Sequence, residues 1–560
     1  MESVSRGDWS RCSTNLCDTP IFNGSPRRKS SMVANKGEES STLLTADRTS
    51  ISYGTAAPGK SSSITKNDVE EETPTHRLSL ADQSKIMYDE GKSMINLALP
   101  VIGTYLLEML PGITSIMLVG HVQSPKVKLF LDAAALAVMY MNLTALSVGF
   151  GLASAMDTLC SQAYGAGELA QRASVYLMTG GLVLSITFCV ILVLNLNAAT
   201  VLMALGQPED VSALAGTFVY YLLPGIPALL IYELVRKVLQ ASNIAMPMLY
   251  VAFCGNILNA GLGYYWMFVV DPSESWSIMG EDAWLGAAVA RTVCNISFPI
   301  LLMIYLAISG EYRAFWNLDD TNHSQSTSTL LQQAFHGIPS FISLGIPGAL
   351  QLCFEWWAFE CLALLSGLLP DAILAIGTNA ILLNLASLVY MFYLGISIAA
   401  NVRIGNALGA NQPQRAALAG YFAFGLATAC SLACATIIIV FRQSLPLLFT
   451  HDEDIADYCS QLLLIAAAFQ LPDSINATVQ GIFRGSGRQN VGAVLNFVAY
   501  YVVGLPLGAV LAFALGQGLR GLWIGVSVGL LVVSVTGGTL IIQSDWKKLA
   551  KDAIRRLIEQ

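Results

Sequence analysis

Five acidic residues stand inside stretches that are otherwise apolar: Glu108, Glu233, Glu355, Glu360 and Asp473. An ionised side chain at mid-bilayer costs about 2.5–3.5 kcal/mol on insertion scales, so an acid kept there has either a partner or a task. The task that suits a carboxylate in such a place is proton exchange. Burial in an apolar cleft raises a carboxylate's pKa, and water or a cationic solute lowers it again, so proton and cargo compete for one group. Glu108 follows Pro100 by eight residues and Glu355 follows Pro347 by eight, which sets two carboxylates at equivalent depth in two helices. Glu360 lies five residues beyond Glu355, turned by about 140° on a helix, so the two face different partners. Glu233 is followed closely by Arg236 and Lys237 at the end of its span, which reads as a surface ion pair. The plain alternative for each of the other four is a structural acid, protonated or partnered.

Polar residues gather around the same segments. Asp473, Asn476 and Gln480 fall at i, i+3 and i+7, a stripe along one face of a helix that begins just after Pro472. Gln351, Asn384, Asn496, Tyr500 and Tyr501 supply further hydrogen-bonding groups, and Trp356, Trp357 and Phe359 could stack on a flat or cationic ring. Helix packing and interfacial anchoring are their ordinary uses. Arg291 is the one embedded base, expected to pair with an acid or to reach an interface.

The elements that must position these groups are membrane helices. Of 560 residues, 54% are apolar and 12% charged, against roughly 25% charged in soluble domains. Apolar stretches long enough to cross a bilayer centre on 93–119, 132–157, 173–200, 211–235, 246–270, 284–309, 337–368, 373–402, 415–441, 456–480, 490–515 and 520–543. The fold class is therefore all-α, with twelve transmembrane helices. Arg172, Arg236, Lys237, Arg313, Arg403, Arg415, Arg484, Arg488 and the bases from Lys547 to Arg556 fall on one side, with only Lys126, Lys128, Arg442 and Arg520 opposite. The positive side is cytosolic, so both termini are expected in the cytosol. The sequons at Asn142, Asn295, Asn322 and Asn476 are then not expected to carry glycans.

An offset of about 243 to 247 residues relates the two halves: Ile95–Pro100 matches Ile342–Pro347, and Gln162–Gly167 with Gln171-Arg172-Ala173 matches Asn406–Asn411 with Gln414-Arg415-Ala416. Two parallel repeats of six helices imply a pseudo-twofold axis along the membrane normal and a central cleft. The expected organisation is a disordered cytosolic tail over 1–85, an N-lobe over 86–310, a cytosolic loop over 311–336, a C-lobe over 337–545 and a C-terminal tail over 546–560. In the first tail, Glu39-Ser-Ser-Thr-Leu43-Leu44 resembles an acidic dileucine sorting signal for the vacuole or lysosome, and Arg27-Arg28-Lys29-Ser30-Ser31 a kinase site.

Other classes of function find little support. The net charge of −8 includes no basic stripe suited to nucleic acid. Eleven scattered cysteines, such as Cys189, Cys254, Cys353 and Cys430, have no metal or disulfide spacing and read as small buried hydrophobes. The five histidines lie in tails, loops or span ends, which argues against a membrane enzyme, and no phosphate-cradling loop supports ATP-driven transport. A lipid flippase would need a basic cavity, whereas the embedded charges are mainly acidic.

Met156-Asp157-Thr-Leu-Cys-Ser-Gln162-Ala-Tyr-Gly-Ala-Gly167 resembles the signature of eukaryotic multidrug and toxic compound extrusion (MATE) transporters. Cys353–Glu360, Arg403–Ala410, Gly481–Gly487 and Tyr500–Pro506 resemble further motifs of that family in the same order, and the likeness covers about 90–545. The resemblance implies electrochemical antiport, usually against protons, that expels organic cations, alkaloids, flavonoids or organic acids. It implies that Glu355 and Asp473 are the C-lobe acids, with Glu360 the second acid of the seventh-helix motif. Ser115 stands where bacterial members carry an aspartate and Asn384 where some animal members carry an acid, so coupling through the N-lobe would fall to Glu108. The expectation is a proton-coupled exporter of small organic, cationic solutes, monomeric and without cofactor, in the vacuolar or alternatively the plasma membrane. A sodium-coupled or uncoupled transporter is the alternative.

Overall fold

The computed structural model describes residues 80–270, 283–310 and 327–559. The tail motifs at 27–31 and 39–44, Asn322 and most of the 311–336 loop lie outside the described residues. A backbone in lipid must satisfy its own hydrogen bonds, which leaves the helix as the form for each apolar stretch. The spans are α1 (Leu80–Gly120), α2 (Val127–Gly165), α3 (Leu169–Leu196), α4, α5 (Met246–Val269), α6 (Ala283–Ser309), α7 (Ser328–Ser366), α8 (Ala372–Gly409), α9 (Pro413–Phe441), α10 (Glu453–Ser486), α11 (Gln489–Ala514) and α12 (Leu519–Ile542). The fourth is two helices, Glu209–Leu222 and Gly225–Ala241, bent by 52° at Leu223-Pro224. Proline lacks the donor that would carry the ladder through, which explains the bend.

The repeat is visible in packing. A Cβ on Gly165 would lie 2.0 Å from the Asn406 carbonyl oxygen, and a Cβ on Gly409 would lie 2.0 Å from that of Gln162. Likewise Gly151 meets Ala349 while Gly395 meets Ile102. Each contact is the image of its partner under the 243- to 247-residue offset, so equivalent faces of two six-helix bundles meet about a pseudo-twofold axis. Small residues here let backbones approach closely, as membrane interfaces require.

Hydrogen bonds between the bundles cluster at one end. Glu90 accepts from Arg403 at 2.8 Å and pairs with Arg415; Arg403 also donates to Asn243 at 3.1 Å. Gln162 donates to the Gly485 carbonyl at 3.0 Å, and Gln489 to the Ser154 carbonyl at 3.1 Å. Near mid-span, the Trp357 indole donates to Leu143 O at 3.3 Å, beside a widened π-helical turn over Asn142–Leu146. Among the described residues no hydrogen bond or ion pair joins the bundles at the opposite end, where α1, α3, α5, α7, α9 and α11 finish. The bundles are pinned together at the end rich in basic residues.

The C-terminal segment, expected as a tail, forms an amphipathic helix, α13 (Trp546–Glu559), that buries Trp546, Leu549, Ala550, Ala553 and Leu557. It crosses both bundles. Arg556 donates to Gln162 Oε1 at 2.6 Å and to the Ser486 carbonyl at 3.1 Å, and the Leu557 carbonyl accepts from Arg172 at 2.8 Å. Burial pulls the Arg556 guanidinium below its ordinary value and holds Arg488 down at about 10. Cys189 and Cys254 are exposed on outer faces, contrary to the expectation of burial; Cys160, Cys294, Cys353 and Cys459 are buried.

Candidate functional site

The embedded acids divide into two kinds. In the N-lobe every one has a cation. Glu108 on α1 accepts from Arg236 Nη1 at 2.7 and 2.9 Å and from the Tyr232 hydroxyl at 3.1 Å. Glu233 pairs with Arg236 and, at 3.4 Å, with Lys237; Lys237 reaches Asp157 at 3.0 Å, and Arg484 from the C-lobe stands 3.9 Å from the same carboxylate. Glu233, Arg236 and Lys237 are buried, at 2%, 2% and 7% exposure, so the expected surface pair is an internal one. Ser115 is buried and donates to the Pro111 carbonyl at 2.7 Å.

In the C-lobe the acids lack such partners. Glu355 on α7 and Asp473 on α10 are buried at 6% and 3% exposure, and among the described residues no ion pair reaches either. They are close enough to feel each other's charge, and Tyr390 on α8 and Asn496 on α11 interact with the Glu355 carboxylate. Arg484 is the cation that acts on Glu355, from a distance, while its own contacts are Asp157 and the Ser397 hydroxyl at 3.1 Å.

Around these two carboxylates the helices assemble most of the expected polar set. Gln480 donates to Asn476 at 3.1 Å and to Asn496 at 2.6 Å, and Asn496 donates to the Gln351 carbonyl at 3.0 Å. Several atoms of the set are buried with no hydrogen-bond partner: Gln351 Oε1, Asn476 Nδ2, Gln480 Oε1 and the Tyr500 hydroxyl. A Cβ on Gly492 would come within 2.4 Å of Gln480 Oε1 and 3.1 Å of Gln351 Oε1, so glycine there leaves room between the two amides. Tyr500 rides on a π-helical turn over Val498–Gly504, a distortion that re-aims side chains. Phe359 stands edge-on to Tyr500, with ring centroids 6.0 Å apart.

Other expected residues lie elsewhere. Asn384 is exposed and donates to the Ala380 carbonyl of its own helix at 2.8 Å. Glu360 and Trp356 are half-buried, and no hydrogen bond joins them to Glu355 among the described residues. The sequence gives Tyr390 no mark, and Asp157 enters there only as part of the Met156–Gly167 motif, not as an embedded acid. Asp157 marks the end of the apolar stretch, and only the continuation of α2 to Gly165 brings it inside; Tyr390 carries no signal beyond its type.

Comparison with known proteins decides the family. The model described as MatE matches twice, over residues 100–265 and 347–510, starting at Pro100 and at its repeat partner Pro347. The chain belongs to the MatE family. It is 34% identical to multidrug and toxin extrusion protein 1 of Homo sapiens over 465 residues, covering 83% of this chain and 77% of that one. It is 32% identical to protein DETOXIFICATION 16 of Arabidopsis thaliana, over 85% of this chain and 93% of the relative. The crystal structure of the eukaryotic MATE transporter AtDTX14 matches with a TM-score of 0.75 and 30% identity, covering 84% of this chain and all (100%) of that one. The protein is thus a polytopic MATE transporter and not an enzyme.

Proposed function

We propose that this MATE transporter exports small organic cations by proton-coupled antiport, with Glu355 and Asp473 carrying the exchangeable proton. The observation that supports this reading is the contrast between the two lobes. Glu108, Glu233 and Asp157 have fixed cations, whereas Glu355 and Asp473 have none among the described residues. A carboxylate removed from water without a counter-ion is neutral with a proton and ionised beside a cation, so solute and proton exclude each other. Gln351, Asn476, Gln480, Asn496 and Tyr500 bind the solute's polar groups, and Glu108 keeps a structural role on Arg236. Closure at the end rich in basic residues makes this the conformation open away from the cytosol, from which cargo leaves and a proton enters. Alternating access then requires the inter-bundle bonds at Glu90, Gln162 and Gln489 to part.

Sodium coupling is the second reading, favoured by the unpaired oxygens of Gln351 and Gln480 near Glu355. Proteoliposomes with an acidic lumen, loaded with a fluorescent organic cation from outside, separate the two. Uptake that needs the pH gradient and falls at least tenfold in both Glu355→Gln and Asp473→Asn supports the proposal. Uptake driven equally by a sodium gradient at uniform pH refutes it. We assign the transporter to the vacuolar membrane, as a monomer with both termini cytosolic. Replacing Leu43 and Leu44 by alanine should redirect a fluorescent fusion to the plasma membrane, and an unchanged distribution would remove the support for this assignment.

A further inference from the structure

One half-buried cation of the N-lobe takes no part in the scheme above. In the N-lobe three carboxylates, Glu108, Glu233 and Asp157, are matched by three bases, Arg236, Lys237 and Arg484. Arg291 on α6 is left over. Its side chain lies against α1, where a Cβ on Gly112 would be 3.5 Å from Nη1, and that nitrogen is buried without a hydrogen-bond partner. Among the described residues Arg291 makes no hydrogen bond or ion pair, so it neither pairs with an acid nor reaches an interface as its sequence position suggested. A charged nitrogen buried without a partner is costly, which is why buried charged groups are paired or bind a ligand.

Arg291 also lines a cavity of about 110 Å³ together with Asn142, Asn295, Glu108, Phe150 and Phe298. The Asn142 and Asn295 side chains have no hydrogen-bond partner among the described residues. The acid on the wall, Glu108, has its two oxygens bound by Arg236. The cavity therefore offers a permanent positive charge and two amide donors, while its carboxylate is already occupied. That set matches a ligand that accepts hydrogen bonds and brings one negative charge.

We propose that this N-lobe cavity is a binding site for a monovalent anion, held by Arg291 with Asn142 and Asn295. A halide and the carboxylate of a small organic solute share this chemistry, and the volume suits either. The site is separate from the C-lobe carboxylates, and the proposal stands whichever ion couples transport.

The test uses the full-length protein purified in detergent, in a bulky sulfonate buffer, with radiolabelled chloride alone and radiolabelled benzoate alone. Saturable binding of about one anion per chain is expected for one of the two, and which one binds distinguishes an inorganic ion from a solute carboxylate. Arg291→Gln should weaken that binding at least tenfold, and Arg291→Lys should restore most of it. Asn295→Leu, which keeps the charge and serves if Arg291→Gln does not fold, should weaken it severalfold. Failure of both anions to bind wild type would overturn the proposal, as would unchanged affinity in Arg291→Gln or in Asn295→Leu.

Discussion

Replacing Glu90 by glutamine should unlock the closed end of the transporter. Glu90 is 0% exposed and joins α1 of one bundle to Arg403 on α8 and Arg415 on α9 of the other. Removing one side of a buried ion pair costs about 3–5 kcal/mol because the remaining charge is stranded. Two features reduce that here: Arg415 is 42% exposed and recovers solvation, and Arg403 keeps Asn243 Oδ1 at 3.1 Å. We therefore take ~2–3 kcal/mol, which at ~1.4 kcal/mol per tenfold shifts the balance against this conformation by roughly 30- to 150-fold. The loss falls on this state because the bonds join lobes that must part at this end. Spin labels at Gln171 and Gln414, exposed repeat partners at that end of the two bundles, report their separation by pulsed electron resonance. The wild type should give a dominant short distance and Glu90→Gln a large population at longer distance. An unchanged distribution in a folded variant would refute the reasoning, and so would a uniform loss of thermal stability with no new distance.

Glu108→Gln should lower the melting temperature, since Arg236 then depends on Glu233 alone, yet keep uptake dependent on the pH gradient; a folded variant with gradient-independent uptake would place coupling in the N-lobe. Arg556→Ala removes the bonds from α13 to Gln162 and Ser486, and should speed amide exchange in residues 546–559 by about tenfold or more, since hydrogen bonds to a charged group contribute about 1.5–3 kcal/mol each. Exchange at the wild-type rate would mean that the apolar face alone holds the helix.

Span number and duplication were legible because both rest on local signals: apolar runs of bilayer length, and motifs repeated at a fixed offset with prolines and glycines in register. The carboxylates of the C-lobe stood out for the same reason, as charges in apolar text. What was hidden is partnership across the fold. Nothing near Glu90 announces Arg403, which lies 313 positions away, and nothing near Glu233 distinguishes a surface pair from the buried network that also takes in Glu108 and Asp157. Asn384 and Asn496 are the same residue type with the same expected use, but one is exposed on its helix and the other accepts from Gln480. The segment 546–560 reads only as a tail in the sequence, and the role of α13 in tying Gln162 to Ser486 depends on two distant chain segments meeting beneath it.

Competition between solute and proton at Glu355 and Asp473 makes solute binding release protons. Purified protein in weakly buffered detergent with a pH indicator should release protons when an organic cation is added, and the double variant Glu355→Gln, Asp473→Asn should release none. Release that persists in the double variant, or cation binding to wild type without any release, would contradict the account.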